Sequence, residues 1–359
     1  MSQRPVCDAH TDLLLELAAR PDLEDPFGEL WLSQLKDGGV RIQVCPLYAG
    51  NESSPDAALR EIMNQLAAFH RALRLHPAEV FHVKTVADLD EVEGGERIGL
   101  VLALEGAECV AQNLDLLDLL WVAGVRMVGP FWALSNSFGD GNAGELHGGL
   151  TPLGHQLIQR IVERGFMLDL AHCSDATFAD IVAATDVPVL VSHVGCRALF
   201  DNPRNVTDEQ MRTVADRGGV VGIFALAPFM DRVTWSLESY LEHLRRAVDL
   251  LGASHVALGG DFVQQIARAG LVHIPAKMVP KGMTLDQPIV GLAGPADYQA
   301  LLGTLEDAGF DPGAIESISY KSLASFLRQQ LPSINQKPRE LTAEGPGRGV
   351  PSHQQGGQD

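Results

Sequence analysis

A chain of 359 residues that is 46% hydrophobic can bury a large core, either as one large domain or as two ordinary ones. Its formal net charge of −19 argues against nucleic acid or an anionic membrane as a partner, because both need a basic face. Its five cysteines, an odd number with no Cys-x-x-Cys pair, do not make a disulfide framework and fit a reducing compartment.

Along the chain, short apolar runs alternate with amphipathic stretches. The strand-like runs are VCDAHTDLL, VRIQVCPLY, RIGLVLALEG, GVRMVGPFW, GFMLDLAH, VPVLVSHV, GGVVGIFAL and HVALGGDF. Most are continuously apolar rather than alternating, as expected of parallel strands covered on both faces. Helical segments are expected at Pro55 to Leu75, Thr151 to Arg164, Thr207 to Arg217 and Leu237 to Leu251. Roughly eight strand–helix alternations predict an α/β fold of the (β/α)8 TIM-barrel kind rather than a doubly wound sheet. The barrel domain is expected over residues 1–335, without an internal boundary. The stretch from Gln264 to Gly294, rich in Gly and Pro, reads as an excursion over the barrel mouth. Residues 336–359 read as a disordered polar tail.

No apolar stretch reaches the roughly 18 to 20 residues of a membrane span. The start, MSQRPVCDAH, lacks the basic-then-apolar layout of a secretory signal. The expected location is the cytoplasm.

The stretch DAHTD puts a His and an Asp two residues apart, which on a strand would share one face. An isolated pair of this kind is more often a core His hydrogen-bonded to Asp. Here it does not stand alone. His10 and Asp12 sit late in the first strand run, Glu105 ends the third, His172 the fifth, His193 the sixth and Asp261 the eighth. In a parallel barrel those ends share the C-terminal rim, where barrel enzymes build their sites. Three imidazoles and three carboxylates around one mouth suit Zn²⁺ or a similar divalent ion and exceed what one tetrahedral ion uses, so two metals are expected.

The ordered set DAHTD, ALEGAE, LDLAHCS, VSHVG, PRNVTDEQM and GGDF, covering about residues 5–330, resembles the membrane dipeptidase (renal dipeptidase, peptidase M19) family of the amidohydrolase superfamily. The resemblance implies a binuclear zinc barrel that hydrolyses dipeptides. It implies that His10 and Asp12 hold the first zinc, that Glu105 bridges, and that His172 and His193 hold the second. Asp261 matches the family's acid/base carboxylate, which also contacts the substrate amino group. Arg204 matches the arginine that receives the substrate carboxylate, a task suited to a two-pronged guanidinium. The chain shows neither the signal peptide nor the lipid-anchor tail of cell-surface members.

Three departures from the family pattern fall around the substrate. Trp132 stands where these dipeptidases usually carry a histidine that hydrogen-bonds the substrate carbonyl; an indole N–H donates one bond but cannot become cationic. DFVQQ replaces the usual DFDG, and VGCRAL follows His193 in place of small polar residues. The metal ligands are kept while the substrate pocket is rebuilt. Trp132 is therefore a candidate substrate-contacting residue, as a stacking platform or as a packed lid.

Other residues carry bland expectations. Asp169 is a structural acceptor or a residue that orients His172; Cys173 and Cys196 are small packing residues. His70, His76, His82, His147, His155, His243, His255, His273 and His353 have surface or packing settings. GDGNAGELHGG lacks the strand–turn–helix context of a phosphate loop.

The function expected is cleavage of dipeptides, or of a dipeptide-like amide, by a metal-activated hydroxide, with Asp261 passing the proton to the leaving amine. The alternatives are an amidohydrolase acting on a modified or non-dipeptide amide in a biosynthetic or detoxification pathway, and a non-catalytic metal-binding homologue. The expected partner is a small dipeptide-like substrate, and the sequence leaves a homodimer open.

Overall fold

The eight apolar runs each contain a strand: β1 (Val6–Asp8), β2 (Val40–Tyr48), β3 (Ile98–Glu105), β4 (Val125–Gly129), β5 (Met167–Asp169), β6 (Val189–Val194), β7 (Val221–Ile223) and β8 (Val256–Leu258). These come from a computed structural model that describes residues 3–50, 54–146, 148–231, 235–271, 279 and 281–333. Each strand pairs in parallel with the next, and β8 pairs back onto β1 with Leu258 opposite Asp8. The sheet therefore closes into a (β/α)8 barrel.

The continuous apolar character of these runs comes from two buried faces. On β3, Val101 and Ala103 join the cluster that also holds Ile42, Val44, Met127, Met167 and Leu190. Leu100, Leu102 and Leu104 belong instead to the cluster shared with the surrounding helices. The period of two then places Glu105 in line with Val101 and Ala103, and Tyr48 in line with Ile42 and Val44. A helix near the C-terminal end, Ser322–Gln330, adds Leu323, Phe326 and Leu327 to the first cluster.

Helices form at Pro55–Leu75, Pro152–Arg164, Asp208–Asp216 and Leu237–Leu251, as the sequence predicts. Their starts follow local chemistry. The Ser54 and Thr151 side chains accept the backbone N–H groups of Ala57 and Gly154, with Pro at the position after each cap, and Thr207 pairs with Gln210 in a capping box. Besides the paired two-residue strands Ser135–Asn136 and Gly139–Asp140, one short strand, Val80–His82, was not among the predicted runs; it pairs with Ile98 to Leu100 at the start of β3. At three residues it is too short to show a period.

Of the expected excursion over the mouth, the described portions are a short helix, Gln264–Arg268, and a bridge between Ile289 and Leu292. Residues 272–278 and 280 and the expected tail at 336–359 lie outside the described residues. No helix among the described residues is long and apolar enough to cross a membrane. All five cysteines are free thiols.

Candidate active site

The site begins where β1 stops. The strand ends at Asp8, so His10 and Asp12 are not neighbours on one strand face; they occupy the turn that leads into the helix Leu13–Ala19, with Asp12 as its N-cap. Buried Asp8 holds that turn by accepting the His10 backbone N–H (3.2 Å) and the Thr11 hydroxyl (2.9 Å). The turn is also tied to the far end of the chain, because the Asp261 N–H donates to the His10 carbonyl at 2.8 Å.

Glu105 is the last residue of β3 and connects two groups of side chains. Its Oε2 lies 3.5 Å from His10 Nε2, which is 3.8 Å from Asp12 Oδ1. Its Oε1 lies 3.0 Å from His172 Nε2 and 3.4 Å from His193 Nε2. His10 Nε2 and Asp12 Oδ1 are buried without a hydrogen-bond partner. The His10 and His193 rings stack with centroids 3.6 Å apart. All five residues are at most 8% exposed.

The two remaining imidazoles come from β6 and from the segment after β5. His193 lies near the end of β6, and its Nδ1 is 2.7 Å from Ser192 Oγ. His172 follows β5 by three residues, in the left-handed region at φ 65°, with Nδ1 3.3 Å from Asn142 Oδ1. The amide oxygen only accepts, so the His172 proton sits on Nδ1 and its Nε2 is bare. The Nε2 atoms of His172 and His193 are 3.0 Å apart. Burial, reinforced by Arg204 and His10, holds both imidazoles well below the ordinary histidine range. Burial alone would also lower His10, but Glu105, Asp12 and Asp261 together raise it to about 10. A divalent cation fits this place: an N/O donor set converges from both sides of Glu105, as Zn²⁺ prefers.

Asp261 follows β8 by three residues and also has positive φ, 53°. Two non-glycine residues in this costly region at one rim mark a backbone held by its surroundings. Burial raises the Asp261 carboxyl to about 6, with His10 opposing and Asp12 adding to the rise.

Arg204 reaches the site from the loop after β6. That loop is pinned by fully buried Asn205, which accepts the Gly195 N–H and donates to the Phe200 and Phe229 carbonyls. The guanidinium is buried, donates Nη2 to the His193 carbonyl (2.8 Å) and lies over the Phe224 ring. Its Nη1 has no partner. Together with Asp12, Glu105, His172, His193 and Asp261, it lines a cavity whose other walls are Leu15, Tyr48, Trp132, Leu226, Phe229 and Val263. Trp132, 7% exposed, packs at 5.3 Å between centroids against Tyr48 and at 6.0 Å from the His172 ring.

A family model described as membrane dipeptidase (peptidase family M19) matches residues 1–321. The chain belongs to this family. It is accordingly a hydrolytic enzyme of the metallodipeptidase type. The chain is 26% identical over 287 residues to an uncharacterized protein in the pqqA 5′ region of Klebsiella pneumoniae, covering 77% of this chain and 98% of that one. It is 29% identical over 240 residues to dipeptidase verJ of Clonostachys rogersoniana, covering 64% and 62% respectively. The fold matches a metallopeptidase of Rhodobacter sphaeroides, crystallised with a phosphinate mimic of the dipeptide L-Ala-D-Ala, at a TM-score of 0.77 and 23% identity, over 92% of this chain and all of that one.

The site also contains residues that motif reading passed over. Asn142, Ser192 and Asn205 support it, yet each is an ordinary polar residue in sequence; Ser192 and Asn205 adjoin His193 and Arg204, whereas Asn142 lies far from LDLAH in the chain. His243, expected to be a packing residue, ties two loops: its Nδ1 accepts the Cys196 N–H at 2.8 Å and its Nε2–H donates to the Met230 carbonyl at 3.0 Å. His147, His273 and His353 lie outside the described residues.

Proposed function

We propose that this M19 enzyme is a binuclear zinc dipeptidase in which His10 and Asp12 hold one ion, His172 and His193 the other, and Glu105 bridges them. The observation that carries this reading is the meeting of His172 Nε2, His193 Nε2 and Glu105 Oε1 within 3.4 Å of one another. Two imidazole nitrogens and a carboxylate oxygen at that spacing form a donor set that suits a divalent cation. Bound zinc would supply Lewis-acid polarisation of the scissile carbonyl and lower the pKa of a shared water.

The chain's own residues do the rest. Arg204 receives the substrate's terminal carboxylate, since its partnerless Nη1 is a buried donor on the cavity wall. Asp261 takes a proton from the attacking water and returns it to the leaving amine, a task suited to a buried carboxyl lining the same cavity. The walls made by Leu15, Tyr48, Trp132, Leu226, Phe229 and Val263 exclude water and receive the substrate's side chains.

Those walls also favour a second reading, a dipeptide-like amide carrying a large apolar group, because Trp132 fills the place where the family's histidine would polarise the carbonyl. The dipeptide mimic in the Rhodobacter relative supports a substrate of dipeptide size on either reading. The free cysteines support a reducing compartment such as the cytoplasm.

Elemental analysis combined with a library of dipeptides containing L- and D-residues tests the proposal. Two ions per chain and turnover of part of the library are expected. A protein that takes up no zinc, or hydrolyses no member of the library or its modified amides, overturns it.

A further inference from the structure

We propose that Ser192 and Asp169 are positioning residues that set the tautomer of His193 and aim its Nε2 at Glu105. Asp169, the last residue of β5, is held by three donors. Its Oδ1 accepts the backbone N–H groups of Ala171 and Ser192, both at 3.0 Å, and its Oδ2 accepts the Ser192 hydroxyl at 2.5 Å. A carboxylate has nothing to donate, so the hydrogen in that short contact belongs to Ser192. The serine oxygen then faces His193 Nδ1, at 2.7 Å, as an acceptor. His193 is thereby forced to carry its hydrogen on Nδ1 and to leave Nε2 bare.

The opposite tautomer is disfavoured on the same geometry. It would turn the Ser192 hydrogen towards Nδ1 and leave two oxygens 2.5 Å apart with no hydrogen between them. Ser192 and His193 are each 1% exposed and Asp169 is 6% exposed, so no bulk water relieves that clash. The carboxylate thus acts on His193, across a serine, rather than on His172, which leans on the neutral amide of Asn142 at 3.3 Å. Such outer partners of a metal-ligating imidazole typically change metal affinity 10- to 100-fold when removed.

The test uses the full chain with Ser192→Ala and Ser192→Thr. Ring-nitrogen NMR of the metal-free protein should show His193 protonated at Nδ1 in the wild type and in Ser192→Thr, with the Nε2–H tautomer populated in Ser192→Ala. Chelator competition should show one of two zinc ions bound about 10- to 100-fold more weakly in Ser192→Ala, the other within a few-fold of wild type, and both near wild type in Ser192→Thr. The affinity arm rests on the two-ion reading above, whereas the tautomer arm needs no metal, so the two ideas fail separately. An unchanged His193 tautomer in Ser192→Ala overturns the inference, as does Ser192→Ala zinc affinity equal to wild type in a chain that binds zinc.

Discussion

His172 and His193 bring their Nε2 atoms to 3.0 Å of each other, while the Nδ1 atom of each ring faces an oxygen. Glu105 Oε1 stands beside both. Because Glu105 also serves His10 through Oε2, Glu105→Gln should lower occupancy at both metal positions rather than one. Metal analysis by mass spectrometry checks this; two ions retained per chain would remove Glu105 from the bridging role.

Arg204 offers a buried, partnerless Nη1 to the cavity. Arg204→Ala should cost about 3 kcal/mol of transition-state stabilisation on dipeptides with a free carboxylate, or roughly 100-fold in kcat/KM. Wild-type enzyme should lose a similar factor on amidated dipeptides, and Arg204→Ala should no longer distinguish the two. Equal turnover of free and amidated substrates by the wild type would show that another group anchors the substrate.

Trp132 separates the two substrate readings. If simple dipeptides are the substrates, Trp132→His should raise their turnover by supplying a donor near the carbonyl. If the pocket serves a large apolar substrate, the same change should weaken its binding by about 1 kcal/mol, several-fold in KM, through lost aromatic contact. Asp261→Asn is the control: turnover should vanish on every substrate while metal content stays at wild type. Steady-state kinetics on both substrate classes decides, and an active Asp261→Asn would void the proton path.

His243 sits at 1% exposure with both ring nitrogens engaged. Burial lowers its pKa from 6.5 to about 4, against the opposing pull of the Met230 carbonyl and Asp231. Between those values the unfolded chain binds the extra proton and the folded chain does not. The contribution of His243 to stability is therefore complete above pH 6.5 and is lost as pH falls towards 4, by about 3 kcal/mol in all. Urea unfolding at several pH values should show a shallower slope across this window in His243→Asn than in wild type; parallel slopes would contradict the assignment.

How far the site could be read in advance depended on what each residue needs from its neighbours. Glu105 and His193 lie on their own strands, so the strand pattern was enough to bring them to the rim. His10 and Asp12 reach the same rim although the strand stops at Asp8: apolar residues continue past it into the helix Leu13–Ala19, and nothing in composition separates the two elements. The positive φ of His172 and Asp261 left no trace because neither is glycine. Asp169 was legible as an acceptor, but its target was not: the neighbour in sequence is His172, whereas strand pairing sets it opposite Leu190, within side-chain reach of Ser192.

The hydrogen bond from Asp261 N–H to the His10 carbonyl joins the two ends of the barrel at the point where the chemistry is assembled. A ribosome making this protein delivers Asp261 some 250 residues after His10. Until β8 docks against β1, the carboxyl proposed as acid/base is not in place and the turn bearing His10 and Asp12 lacks one of its anchors. On the proposed roles, hydrolytic competence would wait for the closed barrel, and a fragment ending before Asp261 would lack it.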